Sequence, residues 1–131
     1  MTVRKRTKLE RLLTEVELEL MNVIWEIGEC TVKDVQTALA KERDLAYTSV
    51  ATIMKILEQK GALKSLKRER AHVYHSVVSR DEYEAMTLRH LATHVFRGDP
   101  TSMVARLLDE SNLSQAEVQA IRKLLEERLK P

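Results

Sequence analysis

Tyr47-Thr48-Ser49-Val50-Ala51-Thr52-Ile53-Met54-Lys55-Ile56-Leu57-Glu58-Gln59-Lys60 is the stretch on which the fold turns. Val50, Ile53, Met54 and Leu57 recur at i, i+3, i+4 and i+7, the spacing that gathers side chains on one face of an α-helix. Gly61 stops the run. The outward face holds Thr48, Ser49, Thr52 and Lys55, with Ala51 small enough to let a backbone come close. A surface helix ordinarily mixes Glu with Lys, yet the only acid here is Glu58, in the last turn. Hydroxyls bond base edges or phosphates, and the methyls of Thr and Ala can meet a thymine methyl. Tyr47, at the start, is within reach of a phosphate or a base.

Two helices precede this one. Thr14 with Glu17 forms a capping box, followed by Val16, Leu20, Ile24 and Ile27 on one face, and Gly28 is expected to close the helix in a left-handed cap. Thr31 starts the next, with Asp34 in its first turn, Val32, Val35 and Leu39 on one face, and the charged run Lys41 to Asp44 at its end. After Gly61 the period changes. Leu63 to Lys67 and His72 to Val78 are predicted as strands around the turn Arg68-Glu69-Arg70-Ala71. Three helices and a hairpin, in that order, are a winged helix-turn-helix, whose second motif helix enters the major groove. Lys67, Arg68 and Arg70 on the hairpin then fall where a wing meets phosphates or the adjacent minor groove; the competing reading is a solvated charged turn.

Composition agrees with helices joined by short connections, and no cofactor is expected. Of 131 residues, 44% are hydrophobic and 32% charged, while three Gly and two Pro leave little room for long loops. The net charge is +2. Residues 1–80 hold 15 Lys/Arg against 11 Asp/Glu and residues 81–131 hold 7 against 9, so only the first part is basic. Arg4, Lys5, Arg6 and Lys8 form a basic tail suited to non-specific phosphate contacts, or merely to solvation. Cys30 is the single cysteine, which excludes an intrachain disulfide and a thiolate zinc site and reads as a small hydrophobe. No apolar run is long enough for a membrane span or a signal peptide, so a cytoplasmic protein is expected. No phosphate loop, paired buried carboxylates or nucleophile motif points to an enzyme.

From about Arg80 the helical pattern returns and continues to Phe96, with a break at Gly98-Asp99-Pro100. A short helix is expected from Thr101 to Asp109 and a last one from Ser114, boxed by Glu117, to Leu129. Val118, Ile121, Leu124, Leu125 and Leu129 make that last helix too apolar to stand alone. With Tyr83, Met86, His90, Leu91 and Val95 they form the predicted dimerisation surface. His90 and His94 have the spacing of a metal-binding pair or a pH-sensitive contact. Their place between Met86 and Leu91 favours semi-buried histidines at the dimer interface. His72 and His75 alternate across a strand and do not chelate together. The expected organisation is a basic tail at 1–13, a winged-helix domain at 14–79 and a helical dimerisation domain at 80–131.

The chain resembles the penicillinase-repressor family of winged-helix regulators. The resemblance rests on Thr14-x-x-Glu17-x-x-x-Met21-x-x-x-Trp25, on Tyr47-Thr48-Ser49-Val50-Ala51-Thr52, and on Gly61. Tyr74-His75-Ser76 and Leu113-Ser114-Gln115-x-Glu117 complete it, so it runs from Leu13 to about Glu127. It implies a homodimer that binds a palindromic operator in double-stranded DNA and blocks transcription, with the C-terminal helices forming the dimer. Family members induced by β-lactams are cut by a signalling protease at an Asn-Phe bond, for which Arg106-Leu107 stands here. Copper-responsive members end in a cysteine cluster, whereas this chain ends Glu127-Arg128-Leu129-Lys130-Pro131. The competing function is a winged helix that binds protein without reading DNA; against it stands the hydroxyl-rich, nearly acid-free face of the third helix.

Overall fold

The computed structural model of the chain describes residues 12–130; the basic run Arg4, Lys5, Arg6 and Lys8 lies outside the described residues. Along the chain come α1 (Glu15–Ile27), α2 (Val32–Leu39), α3 (Tyr47–Gln59), β1 (Leu63–Arg68), β2 (Ala71–Ser76), α4 (Arg80–His94), α5 (Pro100–Glu110) and α6 (Gln115–Arg128). They form two compact units, one up to Thr87 and one from Leu88, so α4 begins in the first and ends in the second.

The helices start where side chains can satisfy the first-turn N–H groups. Thr14 accepts from the Glu17 N–H while Glu17 accepts from the Thr14 N–H, and Thr31 with Asp34 and Ser114 with Glu117 repeat the arrangement. Ser79 and Glu82 do the same before α4. Asp99 caps α5, whose first residue is Pro100. The end of α1 departs from expectation. Gly28 has φ 79 and ψ −144, so it is not the left-handed cap but an extended mirror-image conformation that only glycine enters without strain.

The first unit closes around Leu20, Met21 and Ile24 of α1, Val35 and Leu39 of α2, and Val50, Met54 and Leu57 of α3. Ile27, expected on the buried face, is 43% exposed, because it sits in the last turn just before Gly28 redirects the chain. Met21 takes its place in the core. Ile53 only flanks the core.

The two strands pair antiparallel in the register Leu63↔Ser76 through Arg68↔Ala71. Arg68 and Ala71 are therefore strand residues, and the turn shrinks to Glu69 and Arg70, with Glu69 at φ 55. Positive φ at the first central position is what a two-residue hairpin asks for, although glycine or asparagine usually supplies it. The second strand stops at Ser76 rather than Val78. Val77 donates to the Ala62 carbonyl at 2.9 Å, and Val78 turns into the core. Cys30 adds a third arm to the sheet, exchanging hydrogen bonds of 2.9 and 2.7 Å with Tyr74.

Tyr83 corrects the predicted dimerisation surface. It is buried in the first unit, its ring 5.8 Å from that of Trp25 and its hydroxyl accepting from the Leu13 N–H at 2.9 Å. Met86 packs on the same core. The start of α4 is thus committed to its own chain. Trp25 is fixed from three sides, donating from Nε1 to Ser76 Oγ and to the Val78 carbonyl, with Arg80 lying 5.0 Å over its ring.

The second unit is built differently. Among its described residues none is buried, and Leu88, Val95, Val104, Leu107, Leu124, Leu125 and Leu129 are all exposed large hydrophobics. No helix among the described residues is long and apolar enough to cross a membrane.

Candidate nucleic-acid interface

α3 presents its N-terminal half outward because its other side is held in the core by Val50, Met54 and Leu57. Tyr47, Thr48, Ser49, Thr52 and Lys55 are exposed, and Ala51 is half-buried at the edge of that face. Ala46 precedes the helix and offers no side-chain cap. Alone among the helices of the described residues, α3 leaves its first-turn N–H groups to an outside acceptor, for which a phosphate oxygen is well matched. Thr52 Oγ1 donates to the Thr48 carbonyl at 2.9 Å. The hydroxyl proton is thereby committed to the helix, and what Thr52 offers outward is a methyl group and oxygen lone pairs.

Three polar ties hold α3 at a fixed angle, and none was evident from periodicity. Lys60 Nζ lies 2.7 Å from Glu17 Oε1, joining the end of α3 to the start of α1. Ser65 donates to Glu58 Oε2 at 2.6 Å, joining α3 to β1. Gln36 Nε2 donates to the Leu45 carbonyl at 3.1 Å, bracing the loop that leads into α3. Burial of Glu17 pushes its carboxyl up, but the hydrogen bonds from Lys60 and from the Thr14 N–H outweigh this and hold it below the usual carboxylate range. Glu58 is therefore not an idle acid at the far end of the helix.

On the hairpin, Lys67, Arg68 and Arg70 are all exposed, and so is Lys64. Arg68 is not unpartnered. Its Nη1 donates to Glu29 Oε1 at 2.5 Å and its Nη2 to Glu29 Oε2 at 3.4 Å. Glu29 lies between Gly28 and the Cys30 bridge, a position where nothing in the sequence pattern marked it as a partner of the wing. Among the described residues Lys67 and Arg70 have no such carboxylate.

Other singled-out residues fall elsewhere. Cys30 is buried, and burial, with Asp34 and Glu29 nearby, pushes its thiol up to about 11. His90 and His94 are exposed with ring centroids 4.4 Å apart. Among the described residues no group of three or more His, Cys, Asp or Glu side chains is placed to hold a metal. Of the predicted dimerisation residues in the second unit, Leu91, Val95, Leu124 and Leu125 are exposed with His90, and Val118 and Ile121 are half-buried. Arg106 pairs with Glu110 at 3.8 Å in the middle of α5, and Leu107 beside it is exposed.

Comparison with known proteins follows the same outline. A profile described as penicillinase repressor matches residues 13–127. The chain is 24% identical over 113 residues to the methicillin resistance regulatory protein MecI of Mammaliicoccus sciuri, covering 86% of this chain and 92% of that one. It is 28% identical over 115 residues to the penicillinase repressor of Bacillus licheniformis, covering 88% and 90%. With the transcriptional regulator BlaI of Mycobacterium tuberculosis (strain CDC 1551 / Oshkosh) it shares 40% over 79 residues, 60% of this chain and 56% of that one. The solution structure of the DNA binding domain of the repressor BlaI superposes with a TM-score of 0.50 at 28% identity, covering 61% of this chain and 94% of the other.

Proposed function

The chain belongs to the penicillinase repressor family, and from that premise we propose that it is a sequence-specific DNA-binding transcriptional repressor. The observation that carries the proposal is the uncapped, hydroxyl-rich N-terminal half of α3, held outward by a packed core and three polar ties. Tyr47, Thr48, Ser49, Thr52 and Lys55 enter a major groove with Ala51 at the margin, while Lys67, Arg68 and Arg70 meet the flanking backbone. The DNA-binding part takes in residues 14–79 together with the first turns of α4, which Tyr83 and Met86 tie to it.

The repressor works as a homodimer on a palindromic operator. The uncovered apolar side chains of the second unit support this, since exposed large apolar side chains in number mark an association surface. A twofold pair of chains is the common solution, and it matches an inverted repeat. Residues 88–131 supply the association, through Leu91, Val95, Val118, Ile121, Leu124 and Leu125, with His90 alongside. Cleavage between Arg106 and Leu107 is not part of the proposal. That pair replaces the expected Asn-Phe, and it lies within a helix that a protease would have to unwind.

The test compares an operator recovered by footprinting with random duplex. Thr48→Ala and Thr52→Ala are expected to weaken operator binding by about 1–3 kcal/mol while leaving random duplex little changed. Equal losses on both DNAs would remove base reading from α3.

A further inference from the structure

The wing carries four exposed cations, Lys64, Lys67, Arg68 and Arg70, and one is held by a carboxylate from outside the hairpin. Arg68, the last residue of β1, grips Glu29 with two guanidinium nitrogens, at 2.5 and 3.4 Å. Glu29 is not on a free loop. Gly28 before it donates to the Ile24 carbonyl at 2.8 Å, and Cys30 after it is bonded in both directions to Tyr74. The carboxylate is thus presented from a backbone fixed on both sides, whereas the hairpin turn beyond Arg68 consists of only Glu69 and Arg70.

Resting on the DNA-binding reading of the wing, we infer that Glu29 is an internal substitute for a DNA phosphate that holds Arg68 in reserve. A carboxylate presents a guanidinium with two anionic oxygens that accept side by side, as two oxygens of a phosphate do. DNA therefore competes with Glu29 for Arg68. Both side chains are more than 40% exposed, so the pair is weak enough for a duplex to displace. While it holds, the wing presents three available cations, Lys64, Lys67 and Arg70, instead of four. Affinity for any duplex is lowered without a change in base contacts, which confines tight binding to sites where α3 adds its own.

Glu29→Gln removes the competing charge and leaves an amide of the same shape. With random-sequence duplex as the probe, the variant is expected to bind about two- to five-fold tighter than the natural chain at moderate salt. The slope of log K against log salt should steepen by up to about one unit, the signature of one more cation meeting phosphate. The same substitution on an Arg68→Ala background should change nothing. An equal gain on that background would mean simple repulsion between Glu29 and DNA and would overturn the inference, as would no gain from Glu29→Gln alone. Thermal melting of each variant checks that the fold is intact. Failure of every variant and the natural chain to bind duplex would instead sink the DNA-binding reading itself, and the inference with it.

Discussion

The two units of this chain handle apolar side chains in opposite ways. Up to Thr87, Leu20, Met21, Ile24, Val35, Val50, Met54 and Val78 are all sealed from solvent. From Leu88 on, side chains of the same chemistry line three helices, and none among the described residues is buried. The contrast is not one of helix quality, since α6 has a capping box as complete as that of α1. It shows that local signals specify helices, while burial specifies what a helix is for. A unit that seals its own core can display a polar face; one that leaves large apolar side chains exposed has the character of an association surface, as proposed above.

The largest expected effect attacks the contrast from its open side. Replacing both Leu124 and Leu125 by Glu should leave the first unit folded, convert the protein to monomer in sedimentation, and lower operator affinity by about 100-fold or more, since two linked half-sites become one. A dimer that survives would mean that these exposed residues are not the association surface. Next comes the closed side. Leu20→Ala should cost about 2–5 kcal/mol in urea melts. That loss should not depend on protein concentration, whereas any stability lost by Leu124→Ala should.

A smaller effect concerns the buried charge that steadies α3. Lys60→Met leaves the Glu17 carboxylate with the Thr14 N–H but without its cation, and should cost about 1–3 kcal/mol at neutral pH. Because the folded state holds the Glu17 carboxyl down, its contribution to stability is present above the unfolded carboxyl value of about 4.3 and disappears as pH falls through the lower folded value. Melting temperature plotted from pH 6 to pH 2 should therefore fall less steeply in Lys60→Met than in the natural chain. The smallest expected effect is chemical. With its thiol at about 11 and its side chain sealed, Cys30 should resist alkylation at pH 8 until the first unit unfolds. Fast labelling of the native protein would mean that this region opens locally.

What the sequence made legible follows the same division. The capping pairs Thr14 and Glu17, Thr31 and Asp34, and Ser114 and Glu117 all form as their spacing implied, because a capping box involves residues only three positions apart. The hairpin and the outward face of α3 were legible from period alone. Long-range choices were not. Periodicity could not distinguish Tyr83 as a core residue from Leu91 as a surface one, since both lie on apolar faces of one helix. Nor could it reveal that Arg68 meets Glu29 across 39 residues, or that Cys30 would join Tyr74 as a third strand position. These depend on how the first unit folds back on itself.

The most direct measurement is selection of duplexes by the unsubstituted chain from a random-sequence pool, followed by footprinting and the stoichiometry of the selected complex. Enrichment of an inverted repeat is expected, with half-sites one helical turn or a multiple apart, protected by two chains per duplex. Recovery of the pool without enrichment would contradict it.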